Sequence, residues 1–231
     1  MLPITTNLAV EETPRATYVL VAANILIHLI LTWNTNLVLT DPMVKRLGFV
    51  PAYIPDLNPA ALSTLFTSMF LHGDLMHLFG NMLFLLVFGR KVETQLGWKN
   101  YAAFYLICGI TASMTHTLID PESSEPLIGA SGAVSGILGA FLVYNPKARI
   151  TLIPDLILIY LLRRLVIRLP AWFFLAIWFW IQVYLSMNPH GSNVAFWAHI
   201  GGFTMGATLA VATYKYIPKE KFYSRRENFR D

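Results

Sequence analysis

Cysteine is nearly absent: Cys108 stands alone in 231 residues, which excludes an internal disulfide and any metal centre built from several thiolates. Charge is scarce as well. Asp, Glu, Lys and Arg make up 13% of the chain, about half the ~25% of a soluble globular domain, so an ordinary water-facing surface is excluded. Basic residues outnumber acidic ones, 17 to 13. They sit at the ends of apolar runs rather than among exposed aromatics, which sets nucleic acid aside as a partner. Acid is missing where a catalytic triad would need it: Asp74 lies at the mouth of an apolar run, and Glu93 and Asp155 lie in segments expected on the cytoplasmic side. The first run follows a polar stretch with Glu11 and Glu12 and lacks a basic lead or a small-residue cleavage site. It is therefore expected to remain in the mature protein.

What the chain has is apolar length. Hydrophobic residues reach 55% and the mean hydropathy is +0.54, values that make the membrane the solvent. Six runs approach the ~20 residues needed to cross a bilayer: 17–33, 75–89, 101–118, 127–144, 170–187 and 194–214. An all-α, polytopic bundle of six transmembrane helices is expected. All basic residues except Lys45 and Arg46 fall in the segments that are cytoplasmic when the N-terminus is inside, so both termini are expected in the cytoplasm. The stretch 150–169 is interrupted by Pro154 and Asp155 and closes on Arg163 and Arg164. It reads as a cytoplasmic connection along the interface, because a seventh crossing would invert the last two helices. The expected organisation is a tail over 1–16, a helical domain over 17–214 and a basic tail over 215–231.

Two polar residues stand out against this background. Ser131, in Gly129-Ala-Ser-Gly132, and His199, in Ala198-His-Ile-Gly-Gly202, each lie about one turn into an apolar run. In hydrocarbon a polar side chain is costly without a partner or a task. Counted from the expected outer helix starts at 1.5 Å per residue, they lie ~6 and ~7 Å deep on the same side. A nucleophile and its general base fit that placement. Gly132, Gly136 and Gly139 on one helix and Gly202, Gly206 and Ala210 on the other would let the two backbones approach. His77 and Asn81 are spaced i, i+4 on one face at similar depth. With the Ser131 backbone N–H, they suit the stabilisation of an oxyanion.

Together, Gly129-x-Ser131-Gly132, Ala198-His199-x-Gly-Gly202, and His72, His77 and Asn81 resemble the rhomboid family of intramembrane serine proteases, over His72 to Ala210. The resemblance implies Ser131 as nucleophile, His199 as base, and His77 and Asn81 on the oxyanion. It also implies structural roles for His72 and for Glu93 in Gly89-Arg-Lys-Val-Glu93-x-x-x-Gly97, and the fifth helix as one side of a lateral gate. Two features depart from the pattern. Ser63 and Thr64 stand where members often carry Trp-Arg, and Ser135 stands where many place an aromatic that stacks on the base.

The remaining polar residues carry weaker signals. His28 and His116 read as groups for interhelical hydrogen bonding or interface exposure rather than catalysis, Cys108 as a small core residue, His190 as solvated, and the basic C-terminal run as an anchor at an anionic leaflet. The expected activity is cleavage of a single-span membrane protein near the outer end of its span by a Ser-His dyad, with membrane lipid as surroundings and no cofactor or metal. The rival is an inactive rhomboid-like protein that binds or dislocates membrane clients. Short loops and the lack of a recognisable presequence favour a prokaryotic plasma membrane.

Overall fold

The computed structural model describes residues 2–10, 12–54, 59–153, 167–188 and 194–223. Its first helix, α1 (Arg15–Thr32), is inside out by the standards of a soluble protein. The buried positions are Thr17, Asn24, His28 and Thr32, all polar, whereas Val19, Leu26 and Ile30 are exposed. Spacings of seven, four and four residues gather the polar groups on one face. An apolar face turned outward is stable where hydrocarbon surrounds it.

After α1 the chain forms α2 (Asp41–Leu47) and α3 (Pro59–Thr67), then α4 (Leu75–Phe84), which runs through a π-helical turn at Leu85–Gly89 into α5 (Arg90–Leu96). Gly97, at φ 79°, ends that span and starts α6 (Trp98–Ile119). Helices α7 (Ser131–Tyr144), α8 (Ala171–Met187) and α9 (Phe196–Thr213) complete the bundle, and the short α10 (Glu220–Tyr223) follows. Helix thus occupies each of the six expected runs. By length and composition α1, the 75–96 span and α6 can cross a membrane, and α7 and α8 are apolar but shorter.

The centre is α7, in which every residue from Ala133 to Phe141 is buried. A helix apolar on all sides suits either a protein core or lipid, and here α6 and α9 pack around it. Its contact with α9 is backbone to backbone. A β-carbon at Gly202 would overlap the Gly132 carbonyl, and one at Gly206 the Gly136 carbonyl. Farther along, Tyr144 Oη and Thr213 Oγ1 lie 2.6 Å apart. The Gln95 and Asn145 amides exchange hydrogen bonds of 2.9 and 3.1 Å that fasten α5 to the end of α7.

The expectation of an all-α chain is corrected by an antiparallel sheet, β1 (Leu2–Thr6), β2 (Arg149–Ile153) and β3 (Ile167–Pro170), in that order. Leu2 pairs with Ile153 and Thr6 with Ile150, while Arg149 pairs with Pro170 and Leu152 with Ile167. Ile150, Thr151, Ile153 and Ile167 are β-branched and suit strands. Their N-terminal partner lies most of the chain away, so no local pattern announces the pairing. The ends of the expected connection over 150–169 are therefore strands, and 154–166 fall outside the described residues. His190, Arg225, Arg226 and Arg230 do so too.

Candidate active site

The site begins with a bend. Gly129 has a φ of 120°, a conformation that L side chains rarely adopt, and its N–H donates to the Ser68 carbonyl at 2.9 Å. The helix expected from residue 127 consequently starts at Ser131. Leu127 instead exchanges backbone hydrogen bonds of 2.7 and 3.0 Å with Phe49. Ser131 therefore holds the first position of α7, where backbone N–H groups have no intrahelical acceptor and the helix dipole is positive.

His199, the fourth residue of α9, meets this serine. Its Nε2 lies 2.9 Å from Ser131 Oγ, and its Nδ1 lies 2.8 Å from Gln182 Oε1 on α8. The orientation of the amide is fixed by its other end, because Gln182 Nε2 donates to the Trp178 carbonyl at 3.4 Å. An amide oxygen can only accept, so Nδ1 carries the proton and Nε2 turns its lone pair to the serine hydroxyl. Aromatic rings bracket the imidazole: Trp178 at 6.2 Å and 35°, and Phe196 at 6.4 Å and 84°. They supply the packing that Ser135 cannot, since its hydroxyl donates to the Ser131 carbonyl at 2.7 Å.

Across Gly129 from the serine stands His77. A β-carbon on Gly129 would lie 2.8 Å from His77 Nε2 and 3.7 Å from Ser131 Oγ, so glycine is what lets the ring and the hydroxyl face one space. The Gly73 N–H donates to His77 Nδ1 at 3.4 Å, which leaves the proton on Nε2, toward that space. Asp74 caps α4, its Oδ1 accepting from the His77 N–H at 2.8 Å. His72, fully buried, packs edge-on against His77 with ring centroids 5.0 Å apart. Asn81 is buried one turn below His77, and its Nδ2 donates to the His77 carbonyl at 3.0 Å. One amide hydrogen is committed to its own helix, and the second is available to a ligand.

Glu93 stands apart from this group. Its two carboxyl oxygens accept from the Ala16 and Thr17 N–H groups at 2.8 and 2.7 Å, closing the N-terminus of α1. Gly202 and Gly206 act through the contact between α7 and α9, whereas a β-carbon on Gly132 would crowd Ala112 of α6. Cys108 packs where a β-carbon on Gly136 would overlap it. His28 is buried on the polar face of α1, and His116 lies in the last turn of α6. Sequence reasoning missed Gln182, Trp178 and Phe196. The signal available was the sole amide in the run of α8.

A bundle of apolar helices that holds a serine hydroxyl against a histidine ring defines an integral membrane protein with a serine-histidine pair in its interior. A family model described as Rhomboid domain matches residues 59–216, and the chain belongs to the rhomboid family. It is 32% identical over 162 residues to Rhomboid protein 1, mitochondrial, of Saccharomyces cerevisiae, covering 67% of this chain and 42% of that protein. Identity to RHOMBOID-like protein 1 of Arabidopsis thaliana is 29% over 174 residues, 71% of this chain and 37% of the relative. Identity to Inactive rhomboid protein 1 of Rattus norvegicus is 27% over 175 residues, 76% of this chain and 18% of the relative. The chain spans less than half the length of each of these relatives.

Proposed function

We propose that this protein is an intramembrane serine endopeptidase that cuts single-span membrane proteins. The observation that carries the reading is the 2.9 Å separation of Ser131 Oγ and His199 Nε2, with the ring proton held on the far nitrogen. In the first half-reaction His199 Nε2 takes the hydroxyl proton while Oγ attacks the scissile carbonyl. His77 Nε2–H, Asn81 and the Ser131 N–H face the developing oxyanion. The carbon–nitrogen bond then breaks, the imidazolium passes its proton to the departing amine, and an ester to Ser131 remains. In the second half-reaction water gives a proton to His199 and attacks the ester, and Oγ regains its proton as the acid leaves.

The reading includes six crossings, both termini in the cytoplasm, a catalytic domain over 17–214 with tails at 1–16 and 215–231, and a cut near the outer end of the substrate's span. A helix there hides its carbonyls in hydrogen bonds, so Gly, Pro or polar residues that ease unwinding favour cleavage. The relatives named above are eukaryotic and one is called mitochondrial, and they lend no support to a prokaryotic plasma membrane. One relative is called inactive, and against the client-binding alternative stands the presence of both Ser131 and His199 here. The test is covalent labelling by a fluorophosphonate in lipid vesicles, together with cleavage of a panel of single-span proteins. Labelling should vanish in Ser131→Ala, and cleavage should vanish in Ser131→Ala and in His199→Ala, the double variant being scarcely worse than either. Near-normal cleavage by folded His199→Ala would refute the assignment.

A further inference from the structure

Three positions of α8 are buried: Ala171, Leu175 and Gln182. The first two are apolar and pack against the protein. Gln182 is an amide on an otherwise lipid-facing helix, with Trp180, Ile181 and Tyr184 exposed around it. Burying an amide in such a setting is costly unless its polar atoms are bonded, and here both are used: Nε2 on the Trp178 carbonyl and Oε1 on His199 Nδ1. The second bond falls on the nitrogen whose proton decides which tautomer faces the serine. An imidazole without that acceptor is free to carry its proton on Nε2, where it cannot accept from Ser131.

We propose that Gln182 is the positioning residue of the general base, so that the working unit is Ser131, His199 and Gln182. The inference rests on the peptidase reading above. The amide does the orienting job of a triad carboxylate without placing a charge in the membrane interior, where a charge is costly. It also accounts for a base held firmly although residue 135 is a serine: the ring is bonded from α8 through Nδ1 and packed by Trp178 from the same helix.

The experiment compares Gln182→Met, which keeps length and loses the acceptor, with Gln182→Glu, which keeps the acceptor and adds charge. Both are assayed in lipid vesicles across pH, on the fastest-cut single-span protein of the panel, with circular dichroism to report folding. Among the described residues His77, on α4, is the titratable side chain acting electrostatically on His199, and both variants leave it in place. Gln182→Met should lower the plateau kcat roughly 10- to 100-fold, the equivalent of one strong hydrogen bond, with KM nearly unchanged. Its acid limb should move to lower pH, because the imidazolium loses a favourable dipole. Gln182→Glu should restore much of the plateau and move the acid limb to higher pH by about one unit or more, because a carboxylate favours the imidazolium. A merely structural amide would leave both the plateau kcat and the acid limb of Gln182→Met unmoved. If folded Gln182→Met matches the wild type in kcat and acid limb while Ser131→Ala and His199→Ala are dead, the inference is overturned and the peptidase reading stands. Turnover by Ser131→Ala and His199→Ala would overturn both. Should Gln182→Met not fold, Gln182→Glu decides, and an unmoved acid limb overturns the inference.

Discussion

Gly206→Ala puts the close packing of α7 and α9 to a quantitative test. A β-carbon at Gly206 would overlap the Gly136 carbonyl oxygen and lie 2.5 Å from the Gly136 carbonyl carbon and 2.6 Å from its Cα. These are backbone atoms, so no side-chain rotation relieves the clash. Restoring an ordinary carbon contact near ~3.5 Å requires the two helices to part by about 1 Å. The Tyr144–Thr213 hydrogen bond of 2.6 Å ties their far ends, so the gap opens toward the site. His199 lies seven residues along α9, ~10 Å away at 1.5 Å per residue. Carried through a rigid helix, a separation of about 1 Å would stretch the 2.9 Å contact between Ser131 and His199 beyond hydrogen-bond range. A misplacement of that size costs ~10²-fold in rate, and the overpacking costs ~1–3 kcal/mol in stability. Cleavage of a single-span protein in vesicles gives kcat, and thermal unfolding in detergent gives Tm. Gly80→Ala is the internal control: nothing lies within 4 Å of its added carbon, so replacing a helical glycine there should leave kcat alone and raise stability by ~0.5–1 kcal/mol. Wild-type kcat and Tm in Gly206→Ala, or equal damage in Gly80→Ala, would show that the α7–α9 contact does not hold the site.

Asp74 acts as the cap of α4, a role that asparagine fills equally well. Asp74→Asn should retain kcat and Tm, whereas Asp74→Ala should lose ~1 kcal/mol in thermal unfolding, and a kcat collapse in Asp74→Asn would reveal an orienting carboxylate. His77→Ala and Asn81→Ala should each lower kcat ~10²–10³-fold as oxyanion donors. An unchanged kcat with raised KM in both would reassign them to substrate positioning. Glu93→Ala leaves the Ala16 and Thr17 N–H groups without their carboxyl partner and should lower stability by at least ~2 kcal/mol. Protein that remains folded should keep its kcat, and an unaltered Tm would show that this cap contributes nothing.

Much of this protein was legible in the chain because hydrocarbon is a demanding solvent. It allows few polar residues, so the runs that became α1, the 75–96 span and α6 stood out by composition, and Ser131, His199, His77 and Asn81 stood out against them. The glycines of α7 and α9 were legible for a related reason, since small residues recurring every three or four positions line one helix face and let two backbones touch. The roles of Asp74 and Glu93 were half visible: the sequence put Asp74 at a helix mouth and Glu93 beyond the far end of the same apolar run, but which N–H groups they cap did not follow from it. What tertiary structure alone decided was direction and partnership. The sheet joins the N-terminal strand to residues 149–153, and no local periodicity encodes a pairing over that distance. The bend at Gly129 moves the start of α7 to Ser131, because a positive φ stops a helix that apolar composition would have carried back to residue 127. Gln182 was a single amide in an apolar run, and the rotation of α8 determines what it meets. Packing of Leu175 and Trp178 against the bundle sets that rotation, and this turns the amide oxygen toward His199 instead of toward lipid.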